Sequence, residues 1–297
     1  HEFFEMVHTT IPIPKAMKIP RAKASLDREL TRLDSSFAFD YESVGDNRYL
    51  RAQAVKDGRE VHFGDFMPLC TEKYSELPEA QRVYKGRIVF RGDQVRDEHG
   101  YWAVFNEQGA SASHLSAGTI LDTIARMPGC YGEDADAIQA YPQVPLSDTN
   151  SCEVRVRLPK DRWPRHWHGK YTNPYVKLKV NLYGHPLAGL YWENYAKTRI
   201  LKCGFIPVEG WECLYNHPKK LSFLSVYLDD FKMGGNDTNP ITKRPGNVDQ
   251  MWKEIGKYLD LEPPTEVTDN MYLGCGQQNV IAPTEVIEEK QAMYKSL

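Results

Sequence analysis

The segment Leu221-Ser-Phe-Leu-Ser-Val-Tyr-Leu228 is a strong strand pattern that runs straight into Asp229-Asp230, followed by Phe231-Lys-Met233 and Gly234-Gly235. Two apolar runs separated by so short a polar break predict a β-hairpin with both carboxylates at its tip. In an extended strand, neighbouring side chains point to opposite faces. A turn breaks that alternation and lets both reach one site. Adjacent carboxylates repel, and a divalent cation between them converts that cost into binding. By itself an Asp-Asp after a strand is most often a solvated turn, so the pair needs support from elsewhere in the chain.

Other segments set the context. Ile11-Pro-Ile-Pro-Lys15 is extended by its prolines, and Ser25 to Asp34 reads as a helix with Leu26, Leu30 and Leu33 on one face. The first eighty residues are expected to be peripheral. Tyr84 to Arg91 reads as a strand carrying Lys85, Arg87 and Arg91. Ser113 to Met127 reads as a helix stopped by Pro128-Gly129, and a second helix runs from Pro186 to Lys202, with Gly204 as its left-handed stop. A third runs from Val248 to Leu259, capped by Asn247. Met271 to Cys275 reads as a short strand and Pro283 to Leu297 as a helix. Strands alternating with helices around a central hairpin predict an α+β sheet with helices on one face.

Composition narrows the function classes. The chain has 297 residues, 41% hydrophobic and 26% charged, enough to bury a sizeable core. The longest apolar run, Leu187 to Trp192, is far too short to span a bilayer, so no membrane partner is expected. The net charge of −3 argues against a nucleic-acid binder, but it hides an asymmetry. Residues 153–202 hold eleven Lys and Arg against three Asp and Glu, a local balance of +8, which leaves −11 for the rest. Such a block is either a solvated face or an electrostatic footprint for phosphates. The cysteines at 70, 130, 152, 203, 213 and 275 form no CxxC pair and no disulfide-like spacing, so free, mostly buried thiols in a reducing compartment are expected. The N-terminal His1-Glu2-Phe3-Phe4-Glu5 carries no secretory pattern and no initiator Met, so the chain is read as an intracellular segment of a longer polyprotein.

A further carboxylate supports the hairpin. Gly132-Glu-Asp-Ala-Asp136 leads into a stretch whose alanines at 135, 137 and 140 leave room for a bulky group. Two-metal nucleotidyl transfer needs about three carboxylates around ions roughly 3.5–4 Å apart. His166 and His168, and the pair Trp163 and Trp167 among arginines, are weaker candidates for a metal and for base stacking. No Gly-rich phosphate loop, nucleophile elbow or zincin motif is present.

From Tyr84 to Cys275 the chain resembles the reverse transcriptase domain of copia-type (Ty1/copia) retrotransposon polyproteins. Tyr84-Lys-Gly-Arg-Ile-Val-Phe-Arg-Gly92 corresponds to the family's Tyr-Lys-Ala-Arg-Leu-Val-Ala-Arg-Gly, with Gly86 in place of Ala as a minor change. Ala135-Asp-Ala-Ile-Gln-Ala-Tyr141 corresponds to Leu-Asp-Val-Lys-x-Ala-Phe. Asn181-Leu-Tyr-Gly184 matches Ser-Leu-Tyr-Gly, Tyr227-Leu-Asp-Asp230 the Tyr-Val-Asp-Asp box, and Tyr272-Leu-Gly-Cys275 Phe-Leu-Gly-Ile. Five boxes in order make the resemblance specific. After Gly184 the chain departs from it: His185-Pro-Leu-Ala-Gly-Leu-Tyr-Trp192 lacks the Lys, Gln and Arg that the family usually has there.

The resemblance implies an α+β right-hand polymerase core with fingers and palm, the thumb cut off near its start. Residues 1–80 would be an N-terminal extension and the start of the fingers, 81–275 the fingers and palm, and 276–297 the start of the thumb. It implies RNA-directed DNA polymerisation with two Mg2+ or Mn2+ ions on Asp136, Asp229 and Asp230. Lys85, Arg87 and Arg91 would contact the dNTP triphosphate, with Tyr141 as the steric gate against a 2′-hydroxyl. Tyr183, Gly184, Tyr227, Tyr272, Leu273 and Gly274 would lie along template and primer. The implied partners are an RNA or DNA template with its primer, dNTP, and the RNase H and integrase segments of the same polyprotein, in a cytoplasmic particle. A catalytically inactive or domesticated nucleic-acid-binding module with the polymerase fold is the alternative.

Overall fold

A computed structural model describes residues 8–105, 112–149, 151–236, 246–268, 271–273, 275–277 and 280–295. Among them the protein is mixed α+β, with two six-stranded sheets, a two-stranded hairpin and seven α-helices. No helix among the described residues is long and apolar enough to cross a membrane. The chain divides into two compact units, residues 1–110 with 139–196, and residues 111–138 with 197–297.

The first unit opens with β1 (His8–Thr10), α1 (Ile13–Ala16), α2 (Pro20–Ser35), β2 (Phe39–Asp46), α3 (Asn47–Lys56), β3 (Val61–Lys73) and β4 (Val83–Phe90). The chain then gives α4 (Leu115–Ala125) and β5 (Cys130–Asp136) to the second unit. It returns for β6 (Glu153–Arg157) and β7 (Pro174–Leu178), then leaves through α5 (Ala188–Lys202). The second unit is completed by β8 (Ile206–Pro207), β9 (Leu214–His217), β10 (Ser222–Tyr227), β11 (Asp230–Asn236), α6 (Asn247–Ile255), β12 (Thr265–Glu266), β13 (Met271–Tyr272), β14 (Cys275–Gly276) and α7 (Thr284–Lys295).

The sheet of the first unit runs β1-β3-β6-β7-β2, with β4 also paired to β3. β3 is long enough to serve two pairings. Its first half, Val61 to Asp65, runs parallel to β6, and its second half, Phe66 to Lys73, antiparallel to β4. The heptad-like leucines of α2 pack as their spacing predicts: Leu26, Leu30 and Leu33 share one core with Ile88, Phe90 and Trp167. The first eighty residues are therefore not peripheral, because α2 and β3 form much of this core. Gly86 is likewise no minor change. Its N–H donates to Ser25 Oγ at 2.7 Å, and a Cβ there would lie 2.7 Å from the Leu26 backbone nitrogen. Only a residue without a side chain lets α2 cover this edge of β4.

The sheet of the second unit is antiparallel throughout, in the order β12-β5-β11-β10-β9-β8. α4 packs on β5, β10 and β11, and α6 on β5 and β11. α6 buries Val248, Met251, Trp252 and Ile255. Asn247 is its first helical residue rather than its cap; the extended Gly246 occupies the cap position, with no side-chain bond to the helix. α5 ends as its sequence predicts, at Gly204 with φ +90°. Among the described cysteines only Cys70 is buried; Cys130, Cys152, Cys203 and Cys213 are half-buried free thiols.

Candidate active site

The β10–β11 hairpin closes as tightly as its sequence allows. Tyr227 pairs with Asp230, leaving Leu228 and Asp229 as a two-residue tip. Leu228 has φ +55°, a conformation that branched and bulky residues rarely adopt. Such strain persists only where the surroundings hold it, and it concentrates at functional sites. The surroundings here include β5. The Ala137 N–H donates to the Asp229 carbonyl at 2.7 Å, tying the tip to the end of the neighbouring strand.

This register assembles the carboxylates. β5 runs antiparallel to β11 with Asp136 directly opposite Asp230. Asp136 and Asp229 are exposed and Asp230 is half-buried. Burial pushes the Asp230 carboxyl up to about 7, helped by the negative charges of Asp229 and Asp136 and by a hydrogen bond with Asp136. Like charges crowded at a partly desolvated strand end are the electrostatic condition that a cation relieves. The small residues beside them, Ala135, Ala137 and Ala140, are all buried.

Two residues further along each strand, on the same face, Asp134 lies opposite Lys232. Lys232 is fully buried, an unusual state for its type. Its Nζ lies 2.5 Å from Asp122 Oδ1 of α4 and 3.6 Å from Asp134 Oδ1. It also stands 4.1 Å from the centroid of the Tyr272 ring. Asp122 Oδ2 accepts from Gln277 Nε2 at 2.8 Å. This lysine serves the inner carboxylates and joins the sheet to the segment after Tyr272. Its one sequence signal is a cation between Phe231 and Met233 in an otherwise apolar strand.

Tyr227 and Tyr272, expected from the resemblance to lie along template and primer, are placed on or beside this hairpin. Tyr227 is half-buried at the last rung before the tip. Tyr272 is buried and pairs with Cys275 across a tight hairpin in which Leu273 has φ +49°. Gly274 lies outside the described residues.

In the first unit, Lys85 and Arg87 are exposed on one face of β4. The Arg87 guanidinium stands 5.6 Å from the Tyr183 ring centroid, and Tyr183 packs at 4.5 Å against Tyr141. Gly184, with φ +85°, holds this group against β4: a Cβ there would lie 2.2 Å from the Phe90 carbonyl oxygen. Arg91 lies beyond the strand and pairs with Asp93 at 3.0 Å, so it does not join the aromatic group.

The basic block is less open than its sequence suggests. Arg155 pairs with Glu153, Arg157 with Asp65 and Arg162 with Asp27. Trp167 is buried in the core, and Trp163 donates to the Leu158 carbonyl, so both tryptophans pack their loop. Lys160, Arg165, Lys170, Lys177 and Lys179 remain exposed.

Among the described residues, the group of three ligand-type side chains whose donor atoms all lie within 4.8 Å of one another is Glu60, His62 and Cys152, which sequence reasoning did not single out. Asp136, Asp229 and Asp230 are not drawn that tight. Fold and site together define a mixed α+β protein with a carboxylate cluster at one end of an antiparallel sheet. No protein-family model matches the chain, and no curated protein matches it.

Proposed function

We propose that this chain is the reverse transcriptase portion of a copia-type retrotransposon polyprotein, an RNA-directed DNA polymerase with a right-hand core. One observation carries the reading: Asp136 faces Asp230 across β5 and β11 while Asp229 sits at the strained tip beside them, so the residues of two separate sequence boxes meet. Their crowding fits a cation-binding role, since burial, together with the like charges of Asp229 and Asp136, raises the Asp230 carboxyl. Asp136, Asp229 and Asp230 would hold two Mg2+ or Mn2+ ions, which neutralise charge at the transferring phosphorus and acidify the primer 3′-hydroxyl.

The other residues position the reactants. Lys85 and Arg87 would neutralise triphosphate oxygens. Arg91 is the weaker member of that set, because Asp93 already holds it. Tyr141, braced by Tyr183, would exclude a 2′-hydroxyl. Tyr227, Tyr272 and Leu273 would lie along the primer, and Tyr183 and Gly184 by the template.

The test is primer extension on an RNA template with dNTPs and Mg2+, comparing the native chain with Asp229→Asn. Extension by the native chain that is lost in the variant is the expected result. Primer–template binding without extension by a folded native chain would replace this reading with that of an inactive binding module.

A further inference from the structure

Glu60, His62 and Cys152 come together because of strand register. Val61 lies opposite Glu153 in the parallel β3–β6 pair, so Glu60 and Cys152 stand side by side one residue before it. His62 is two residues beyond Glu60 and shares its face. Arg59 and Glu153, one residue away from these two positions, form an ion pair with each other at 3.2 Å. The carboxylate, imidazole and thiol are thus gathered where two parallel strands begin.

The geometry is close to that of a coordination shell. His62 Nε2 lies 3.6 Å from Glu60 Oε1, and all three donor atoms lie within 4.8 Å of one another. Zinc bonds of about 2.0–2.3 Å in a tetrahedral arrangement put ligand atoms roughly 3.3–3.7 Å apart, so closure needs shifts of about 1 Å. His62 is buried, and its ring packs in a T-shaped arrangement with Phe105, centroids 5.0 Å apart. Burial and the neighbouring Glu60 carboxylate push the Cys152 thiol up to about 12, offset in part by the His62 backbone amide, so the sulfur rests as a thiol without a cation. The nearby Glu98 carboxylate is engaged with the Val61 N–H at 3.1 Å. Exposed Glu60 leaves one side of the group open to water.

We propose that Glu60, His62 and Cys152 form a zinc-binding site that clips the start of β3 to the start of β6. A mixed S, N, O donor set selects zinc over magnesium. Binding converts the Cys152 thiol to a zinc thiolate and releases its proton to solvent, and water completes the shell. The site lies within the first unit and does not depend on the polymerase reading.

The test uses the full chain and Co2+ as a spectroscopic stand-in for Zn2+. A thiolate-to-cobalt charge-transfer absorption should saturate at one equivalent and be displaced by Zn2+. The oxygen-only carboxylates of the second unit give no such band. Cys152→Ala should abolish the band and weaken Zn2+ binding by at least about a hundredfold, the upper end of what even an outer-shell partner contributes. Glu60→Gln, at an exposed position that leaves folding untouched, should weaken it by about tenfold or more. Absence of the band in the native chain, or its persistence in Cys152→Ala, overturns the proposal. If Cys152→Ala fails to fold, an unchanged Zn2+ affinity in Glu60→Gln overturns it instead.

Discussion

The basic block of the first unit and the hairpin tip of the second handle charge in opposite ways. In the first unit, Arg155, Arg157 and Arg162 each pair with a carboxylate, and Arg87 stands over an aromatic ring. At the tip, Asp136, Asp229 and Asp230 gather beside one another, while the buried Lys232 pairs further inside with Asp122 and Asp134. Charge balanced inside a fold contributes to structure. Charge gathered at a partly buried edge, where burial and the neighbouring carboxylates raise the Asp230 carboxyl to about 7, is the electrostatic condition that a cation relieves. The contrast also locates strain, since Leu228 is held in its costly conformation beside the uncompensated carboxylates.

The largest effect should come from breaking the uncompensated side. Asp230→Asn is expected to reduce primer extension by about a thousandfold, equivalent to several kcal/mol of lost transition-state stabilisation. Single-turnover extension on an RNA template measures it. An equal rate in the variant would mean that the outer carboxylates are ordinary turn residues.

Removing the inner cation tests the balanced part of the same sheet. Lys232→Met removes the cation that Asp122 and Asp134 share inside the fold and should cost about 4 kcal/mol in denaturant unfolding. A loss under about 1 kcal/mol would show that those carboxylates are protonated or solvated instead. In the first unit, Gly86→Ala should cost about 3 kcal/mol, because its methyl would overlap the Leu26 backbone. A neutral result would mean that α2 can lift from β4 freely.

The pH dependence follows from Asp230. In chelator-treated protein its folded pKa of about 7 lies above its unfolded value near 4. Between these values the folded state holds the proton and the unfolded state does not, so unfolding stability falls as pH rises from about 4 to 7 and levels off above. With allowance for solvent screening of a half-exposed group, the loss is about 2 kcal/mol. Urea midpoints across that window check it, and Mg2+ should flatten the slope. The smallest expected effect separates two arginines: Arg87→Ala should raise the KM for dNTP about tenfold, and Arg91→Ala by much less, because Asp93 already engages Arg91. Equal shifts would remove the distinction.

Local chemistry made part of this legible. The β10–β11 hairpin, the leucine face of α2, and α4 and α5 follow from periodicity and turn residues, which act over a few neighbouring positions. The misreadings share another cause. Gly86 and, in the basic block, Arg157 and Arg162 depend on partners distant along the chain. A glycine that lets a helix touch a strand has the same sequence signature as one in a loose turn. An arginine in a basic block reads as an open cation until its carboxylate is placed.

The sequence by itself determined that a strand runs into two carboxylates, that a third stands before a small-residue stretch closed by Tyr141, and that Lys85 and Arg87 share one strand. Only the tertiary structure decided which of these meet. Asp136 reaches Asp230 because β5 pairs with β11 in one register, and a slip of one residue would turn its side chain to the other face. Glu60, His62 and Cys152 meet for the same reason, through a parallel pairing of β3 and β6 that no local pattern announces. Pairing between distant strands is set by the packing of whole faces, so it is fixed only when the sheet closes on its core.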